Sequence, residues 1–191
     1  MIRFLALCFL TVSLAFSVPT KNVEFSPEPQ FSEVEWEDMM QKYRYEEYEA
    51  LYFAVIERCG EPGTPDFMTQ PKSVQSLFVA MMFDMEIQNG GLAQFFWNDG
   101  SVYAKLVPDA LREIGLNDVA ALYEQFVQEN SITLEEMDTY RERFPMMGEG
   151  FYEYHPFDEF DEAYIKIWKE TNINARFLDY AAKHPEIYEA E

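Results

Sequence analysis

Apolar residues recur at helical spacing through most of this 191-residue chain, and this period restricts the fold more than any other feature. Side chains three and four positions apart share one face of a helix, whereas a half-buried strand alternates apolar and polar residues. No segment combines a sustained alternation with enrichment in β-branched residues. The sequence therefore predicts an all-α fold, a compact single-domain bundle of about seven to eight helices, one of them very short. The clearest apolar stripes are Trp36, Met40, Tyr43, Tyr48, Leu51, Tyr52, Val55 and Cys59, then Val74, Leu77, Phe78, Met81 and Met85.

Helix boundaries follow from capping residues, prolines and glycines. Ser32 and Thr133 each precede a Glu by three residues, which is the spacing of a capping box. Pro108 suits the first turn of a helix, and Gly115 suits its end. These signals predict helices over residues 32–58, 72–88, 92–97, 108–115, 117–128, 133–144, 158–170 and 173–183, with a proline-rich loop over 60–71. The apolar stripe of the first helix drifts around its axis, which indicates a bend.

The stretch from Met85 to Gly100 places two turn signals around a short aromatic piece. Asn89-Gly90-Gly91 should end the preceding helix, because Asn and Gly adopt left-handed conformations at low steric cost. Asn98-Asp99-Gly100 should end the short helix that follows. We expect three apolar side chains to fix this short helix in the core: Leu92, Phe95 and Phe96.

The polar side chains of the same stretch have two interpretations. In the first, Gln94 and Asn98 satisfy backbone groups at the two breaks, and Glu86 finds a partner because a buried carboxylate requires one. In the second, Glu86, Asn89, Gln94 and Asn98 converge on open space and form a ligand or enzymatic pocket. We favour the first interpretation, a structural joint.

The N-terminus has the composition of a secretory signal. Arg3 precedes an apolar run that ends at Phe16, and Ala15 and Ser17 are small residues at the two positions that a signal peptidase reads. We expect a signal peptide over residues 1–17 with cleavage after Ser17, an extended proline-containing leader over 18–31 and a helical domain over 32–191. The apolar run is too short for a membrane span, which takes about 20 residues. The prediction is a secreted or periplasmic protein, with no membrane association after cleavage.

The chain is strongly acidic, with 35 Asp and Glu against 14 Lys and Arg and a net charge of −21. Removal of the signal would take away Arg3 and give −22. Phosphate binding requires clusters of Lys and Arg, so direct binding of nucleic acid is disfavoured, as is an anionic membrane surface. Such a charge favours a basic protein partner. Cys59 alone would remain after cleavage, so no intramolecular disulfide is expected and the core must hold the fold.

The usual catalytic and metal-binding patterns are missing from the sequence. His155 and His184 are the only histidines, and neither forms a pair at the spacing of a zinc-binding helix. Cys59 lies on an apolar stripe, where a small core residue is the expected role. We therefore predict that the protein is not an enzyme and that it has no catalytic residue, metal or cofactor.

Two groups of acids are candidates for a partner-binding surface: Glu35, Asp38, Glu46 and Glu49 on the first helix, and Asp158, Glu159, Asp161 and Glu162 at the start of a later one. One helical turn advances about 5.4 Å, and one DNA strand places a phosphate about every 3.4 Å, so carboxylates along a helix approximate a phosphate row at lower density. Simple solvation, helped by the helix dipole, is the alternative reading of these acids. The loop from Phe151 to Phe157, with aromatic rings beside acids, is a second candidate surface.

The central stretch also resembles a known family. The pattern Glu86-x-x-Asn89-Gly90-Gly91-x-x-Gln94-Phe95-Phe96-x-Asn98 looks like the central motif of the bacterial domain family named after DNA-mimic protein nineteen. The similarity continues through Ala110-Leu111-x-x-Ile114-Gly115 and, more weakly, Leu178-Asp179-Tyr180 and His184-Pro185. The resemblance implies an all-helical domain able to form a homodimer, with no catalytic residue. In the characterised branch it implies an acidic surface that imitates DNA and occupies a DNA-binding protein. The predicted export signal departs from that picture, since it would remove the chain from a cytosolic partner.

Two functions follow from these observations. The first is a non-enzymatic acidic binding protein that engages a basic protein, with nucleic-acid-binding proteins as one candidate class, by imitating the charge of DNA. The second is an exported helical domain whose acidity serves solubility and whose Asn-Gly-Gly motif lines a small-ligand or enzymatic pocket. We favour the first.

Overall fold

A computed structural model describes residues 33–60, 64–98, 102–144 and 155–188, with side chains from residue 37 onward. The predicted signal peptide and leader, Ser32 of the first capping box and most of the 151–157 loop lie outside the described residues. The contacts divide the chain into two units, Met1–Asp38 and Met39–Glu191. The described part of the first unit is the beginning of one helix, and the second unit contains the rest of the fold.

The described residues contain nine α-helices and no strand, which confirms the all-α prediction. None of these helices is both long enough and apolar enough to span a lipid bilayer. They are α1 (Glu33–Lys42), α2 (Tyr45–Cys59), α3 (Pro65–Thr69), α4 (Lys72–Trp97), α5 (Val107–Ile114), α6 (Asn117–Glu129), α7 (Leu134–Arg143), α8 (Phe157–Thr171) and α9 (Ile173–Ala181), followed by a 3₁₀ turn at Pro185–Ile187.

The predicted first helix is two helices, α1 and α2, which meet at a break after Lys42. Arg44 adopts a left-handed conformation there, with φ 51°. Two side chains at the start of α9 bind the carbonyl groups at this break. The Asn172 Nδ2 donates to the Lys42 carbonyl at 3.1 Å, and the Asn174 Nδ2 donates to the Tyr43 carbonyl at 3.0 Å. The drifting apolar stripe indicated a bend, and these amides show how the break is stabilised.

The proline-rich segment that the sequence predicts as a loop contains the short helix α3. Pro65 stands in its first turn, where a missing N–H costs nothing. Phe67 is buried, and its ring lies 5.6 Å from Phe78 and 5.2 Å from Tyr103. One aromatic side chain therefore fixes the segment to the core.

Helix α4 is the centre of the second unit and packs against α2, α5, α7 and α8. Phe83 of α4 is fully buried, and its ring makes edge-to-face contacts with four other aromatic rings. These rings belong to Phe95, Tyr123, Phe160 and Tyr164. The helix is buried on more than the single face that its apolar stripe predicted, because neighbours surround it.

Two predicted helix signals are confirmed. Gly115 has φ 86° and ends α5, while the Leu116 amide donates to the Leu111 carbonyl at 2.8 Å. Thr133 caps α7, since its Oγ1 accepts a hydrogen bond from the Glu136 amide at 3.1 Å.

Candidate functional site

The Asn-Gly-Gly motif forms a joint inside α4. Gly90 (φ −159°, ψ 21°) and Gly91 (φ 76°, ψ −177°) both leave the helical conformation, so the helix runs to the motif, breaks and resumes at Leu92. The conformation of Gly91 belongs to a region that is essentially restricted to glycine. The predicted break between residues 88 and 92 is confirmed.

Aromatic residues after the joint fix the short second segment, as predicted. Leu92, Phe95 and Phe96 are all buried. The Phe95 ring lies 5.0 Å from Phe83, and the Phe96 ring lies 6.0 Å from Phe157 at the start of α8. The segment is thus held between the first part of α4 and α8.

Asp161 of α8 binds the start of this second segment. Its Oδ1 accepts a hydrogen bond from the Leu92 amide at 2.9 Å. Its Oδ2 lies so close to Gly91 that a Cβ added there would be 2.0 Å away. Burial raises the pKa of Asp161 to about 6, the Leu92 amide opposes this rise, and the charge of Asp158 adds to it. Asp161 is therefore a half-buried cap of the joint and differs in role from its exposed neighbours.

Glu86 is buried, and its carboxylate accepts hydrogen bonds from two side-chain amides that follow the joint in the chain. The Gln94 Nε2 donates to its Oε2 at 2.8 Å, and the Asn98 Nδ2 donates to the same oxygen at 2.7 Å. The sequence predicted that Gln94 and Asn98 would satisfy backbone groups, and that prediction is wrong for these bonds because both amides turn to the carboxylate. The predicted need of Glu86 for a partner is met by these two residues.

Gly90 makes room for this arrangement. A Cβ at Gly90 would lie 2.1 Å from the Gln94 Oε1, so the Gln94 side chain folds directly against the glycine. Asn89, the remaining polar member of the motif, is exposed. The motif residues thus serve the joint in different ways, by backbone freedom, by close packing and by hydrogen bonds to Glu86.

A second buried carboxylate, Asp84, lies six residues before Gly90 and was not predicted from the sequence. It is 1% exposed and accepts hydrogen bonds from the Tyr164 hydroxyl, from the Gln88 Nε2 at 2.7 Å and from the Tyr48 hydroxyl at 3.3 Å. Burial raises the pKa of Asp84 to about 6, against the effect of these hydrogen bonds. Its spacing from Leu77 and Met81 places it on the apolar stripe, and that position was the available signal.

The two tyrosines at Asp84 are held in their protonated form. Burial first, and the charge of Asp84 next, raise the pKa values of Tyr48 and Tyr164. Each hydroxyl therefore remains a donor at neutral pH. The cluster connects α2, α4 and α8 through polar contacts inside an otherwise apolar core.

The first candidate acidic group is divided between two helices. Because the predicted first helix breaks, Glu35 and Asp38 lie on α1 while Glu46 and Glu49 lie on α2, so the single-helix ridge is wrong. Glu46 is exposed and Glu49 is half-buried. Asp38 is exposed but belongs to the first unit, and the side chain of Glu35 lies outside the described part.

The second candidate group remains on one helix. Asp158, Glu159 and Glu162 are exposed on the first turns of α8, and none of the three makes a salt bridge within the residues that the structure describes. We call these three residues the α8 acidic surface. Asp161, the fourth predicted member, faces the joint instead.

Other chemistry-bearing residues are in structural positions. Cys59 is fully buried, and burial raises the pKa of its thiol to about 12, so a thiolate is disfavoured at neutral pH. The His155 Nε2 lies 2.8 Å from the Glu136 carboxylate, and the His184 Nδ1 lies 3.0 Å from that of Glu186. Among the described residues, no three His, Cys, Asp or Glu side chains are grouped closely enough to hold a metal ion.

The joint lines neither of two cavities on the second unit. The larger, about 460 Å³, lies between α5, α6 and the start of α7. The smaller, about 300 Å³, is lined by Arg58 of α2 and by Ile187 and Tyr188 near the C-terminus, among others. The polar groups of the joint converge on Glu86 and Asp161 rather than on either space.

Comparison with known proteins identifies one family. A family model described as DMP19-like protein matches residues 69–184, more than half of the chain, from the last residue of α3 to just beyond α9. The match includes the joint and α8, and it confirms the resemblance stated from the Asn-Gly-Gly pattern. No curated protein and no solved structure matches the chain.

Proposed function

Because this chain belongs to the DMP19-like protein family, we propose that it is a non-enzymatic binding protein whose acidic surface engages a basic protein. The observation that carries the proposal is the net charge of −21 together with exposed carboxylates that no cation neutralises in the described structure. Imitation of the charge of DNA is the mode that the family resemblance implies. A nucleic-acid-binding protein is accordingly the partner class that we favour.

The α8 acidic surface is the best-supported contact region. Asp158 and Glu162 are four residues apart on one helix face, a separation close to one turn of about 5.4 Å. Their carboxylates are exposed and make no salt bridge among the described residues, in contrast to Glu47, which pairs with Arg44, and Glu124, which pairs with Arg112. The dipole of α8 stabilises anions at its first turn by about 0.3–1 kcal/mol, so the helix tolerates this density of charge.

A pocket at the Asn-Gly-Gly motif is the second hypothesis, and two observations favour the binding role over it. Gln94 and Asn98 direct their amides to Glu86, and the two cavities described above are lined by other residues. A buried carboxylate that is satisfied in this way stabilises a joint without presenting a free group to a ligand.

The predicted signal peptide restricts the partner to exported or extracellular proteins. A basic nuclease or toxin outside the cytoplasm has the required charge. Cell fractionation tests this part directly: the processed chain, beginning at Val18, should appear outside the cytoplasm, and recovery of the full-length chain in the cytosol would contradict export.

A pull-down with salt and DNA competition tests the binding role. The purified protein is incubated with the extracellular fraction of its native organism at about 0.01 M and about 0.15 M salt, between which the Debye length falls from about 30 Å to about 8 Å. We expect basic proteins to be captured at low salt and released at higher salt. If the surface imitates DNA, added duplex DNA should displace them.

Charge-matched variants locate the surface. The triple change Asp158→Asn, Glu159→Gln and Glu162→Gln removes three charges from α8, and the control triple Glu57→Gln, Asp66→Asn and Asp118→Asn removes three exposed charges elsewhere. The α8 triple should weaken capture at least tenfold more than the control. Absent or salt-insensitive capture would contradict the proposed function, and equal effects of the two triples would contradict the α8 location.

A further inference from the structure

The larger cavity is an apolar groove beside the α8 acidic surface. Tyr123, Ile132 and Met137 are buried at its floor, Pro108 and Val127 form its walls, and Leu134 is 51% exposed at its lip. Its volume of about 460 Å³ falls within the range of about 300–1,000 Å³ that is typical of ligand pockets. We call this space the α6–α7 groove.

Capping interactions hold the groove residues at two helix ends. The chain leaves α6 through Ser131, which has a left-handed φ of 53°, and the Ile132 amide donates to the Val127 carbonyl at 2.9 Å. Thr133 then caps α7 and brings Leu134 to the lip. The groove is therefore built from two fixed helix ends rather than from a long loop.

The groove and the α8 acidic surface lie at the same end of α6. Phe126 of α6 contacts Phe157 at 5.7 Å and Phe160 at 5.4 Å, so the C-terminal turn of α6 packs on the first turn of α8. Val127, the next residue of α6, lines the groove, and Asp158, the next residue of α8, belongs to the acidic surface. Both features therefore include a residue next in the chain to this contact between α6 and α8.

Exposed carboxylates also border the groove. Glu129, Glu135 and Asp138 each stand next in the chain to a residue that lines it, and none of them makes a salt bridge within the described structure. Glu124 lies on the lining itself and is engaged by Arg112. Lys105 is the single cation of the lining. An apolar floor with a predominantly acidic rim has the composition of an interface core, and its charge is complementary to a cationic amphipathic segment.

From this arrangement we infer that the α6–α7 groove receives apolar side chains of an amphipathic basic helix of the partner, while flanking cations of that helix meet the acids on its rim and on α8. The inference rests on the proposed function and adds an apolar anchor to it. Charge alone supports fast, salt-sensitive association. An apolar side chain of the partner buried in the groove would add affinity that salt does not remove.

Two synthetic peptides of the same composition separate the apolar contribution from charge. Each has about 18 Leu and Lys residues, about five helical turns; one places Leu at positions i, i+3, i+4 and i+7, and the other scrambles the order. The affinity of each peptide for the purified protein is measured by calorimetry, and methyl NMR locates the site. We expect the amphipathic peptide to bind about tenfold more tightly, with shifts at the methyl groups of Val127, Ile132 and Leu134.

Leu134→Gln tests the groove, and Met68→Gln is the matched control because Met68 is an exposed apolar residue of α3 that does not line it. Since Leu134 is half-exposed, its replacement should leave the fold intact, which the NMR spectrum checks. We expect Leu134→Gln to weaken the amphipathic peptide about five- to tenfold and the scrambled peptide hardly at all. Met68→Gln should change neither affinity.

The contrary outcomes are distinct. Equal affinities for the two peptides, or equal effects of the two variants, would overturn the groove inference. If only the α8 triple lowered the affinity for the amphipathic peptide, the groove inference would likewise be wrong, but the proposed acidic surface would be supported. Amphipathic binding unaffected by salt and by the α8 triple would contradict the proposed function instead. Saturable binding of decanoate at the same methyl groups, abolished by Lys105→Gln and accompanied by no peptide binding, would assign the groove to a small anionic amphiphile and overturn the inference.

Discussion

The carboxylate of Asp161 accepts a hydrogen bond of 2.9 Å from the amide of Leu92, so α8 caps a helical segment that belongs to α4. The second oxygen of the same carboxylate occupies the space beside Gly91 that a Cβ would need. A helix that restarts after a break has amides without intrahelical partners, and a carboxylate satisfies one of them. The joint therefore depends on a contact between residues 69 positions apart, in addition to its local glycines.

Removal of the Asp161 cap should destabilise the protein. Asp161→Ala leaves the Leu92 amide without its acceptor, and we expect the free energy of unfolding to fall by about 1–2 kcal/mol at pH 7. Asp161→Asn retains an amide oxygen and should lose less than half of that amount. Urea denaturation followed by circular dichroism measures both. The exposed neighbour Asp158→Asn is the control and should change stability by less than about 0.5 kcal/mol; a loss equal to that of Asp161→Ala would contradict the capping role.

A side chain at Gly91 should be tolerated less well than one at Gly115. Both glycines have positive φ, but a Cβ at Gly115 meets nothing within 4 Å, whereas at Gly91 it would lie 2.0 Å from the Asp161 Oδ2. Gly115→Ala should cost about 1–2 kcal/mol from the left-handed conformation alone. Gly91→Ala should cost more, because either the carboxylate or the backbone must move.

A double-mutant cycle checks the cause of this difference. Gly91→Ala in an Asp161→Ala background lacks the close oxygen, so its additional cost should be smaller than in the unmodified protein, while the conformation of Gly91 keeps it above that of Gly115→Ala. Additive effects of Gly91→Ala and Asp161→Ala would show that backbone strain alone, and not the carboxylate, restricts position 91.

Residues with strong local conformational preferences allowed the main divisions of the fold to be predicted. Gly91 marks the joint and Gly115 ends α5, because both have a positive φ that few other residues adopt without cost. The break at Arg44 carries no such mark. It depends on Asn172 and Asn174, which are distant in sequence and supply the hydrogen bonds that the break requires.

Side-chain partners within the candidate site were harder to predict than its position. The spacing identified Glu86, Gln94 and Asn98 as one polar group, but it did not show that both amides turn to the carboxylate. The acids of α8 present the same problem, because Asp161 and Glu162 are adjacent and face different surroundings. Charge and composition cannot separate a capping carboxylate from a solvated one, since the distinction depends on the neighbouring helix.

Loss of the Glu86 carboxylate, which lies before the joint in the chain, should also destabilise the joint. Glu86→Ala leaves the amides of Gln94 and Asn98 without their acceptor in a buried setting, and we expect a loss of about 1–3 kcal/mol in the free energy of unfolding. Glu86→Gln keeps one side-chain oxygen and should lose less. Thermal and urea denaturation measure the change against Glu57→Ala, an exposed acid of α2 that should vary by no more than about 0.5 kcal/mol. Equal stability of Glu86→Ala and Glu57→Ala would contradict the proposed joint.

Stability should increase when the pH is lowered from about 7 toward about 4.5, and Asp84 should supply most of this dependence. Burial raises its pKa in the folded protein to about 6, above the value of about 3.9 for an unperturbed aspartate, so the folded state binds a proton that the unfolded state releases in this interval. The contribution is complete below about pH 4 and is lost as the pH rises through about 6. Its size is on the order of 2–3 kcal/mol.

Variants and a pH series of urea denaturations separate this effect from the general relief of charge repulsion at lower pH. Asp84→Asn cannot titrate, so the slope of the free energy of unfolding between pH 5 and 7 should fall by more than half, whatever the absolute stability of the variant. Asp161→Asn should reduce the slope less, because Asp161 is only half-buried and solvent screens its charge. The Asp158→Asn control should alter it least. An unchanged slope in Asp84→Asn would show that distributed surface acids, rather than the buried carboxylate at the Tyr48–Tyr164 cluster, govern the pH dependence.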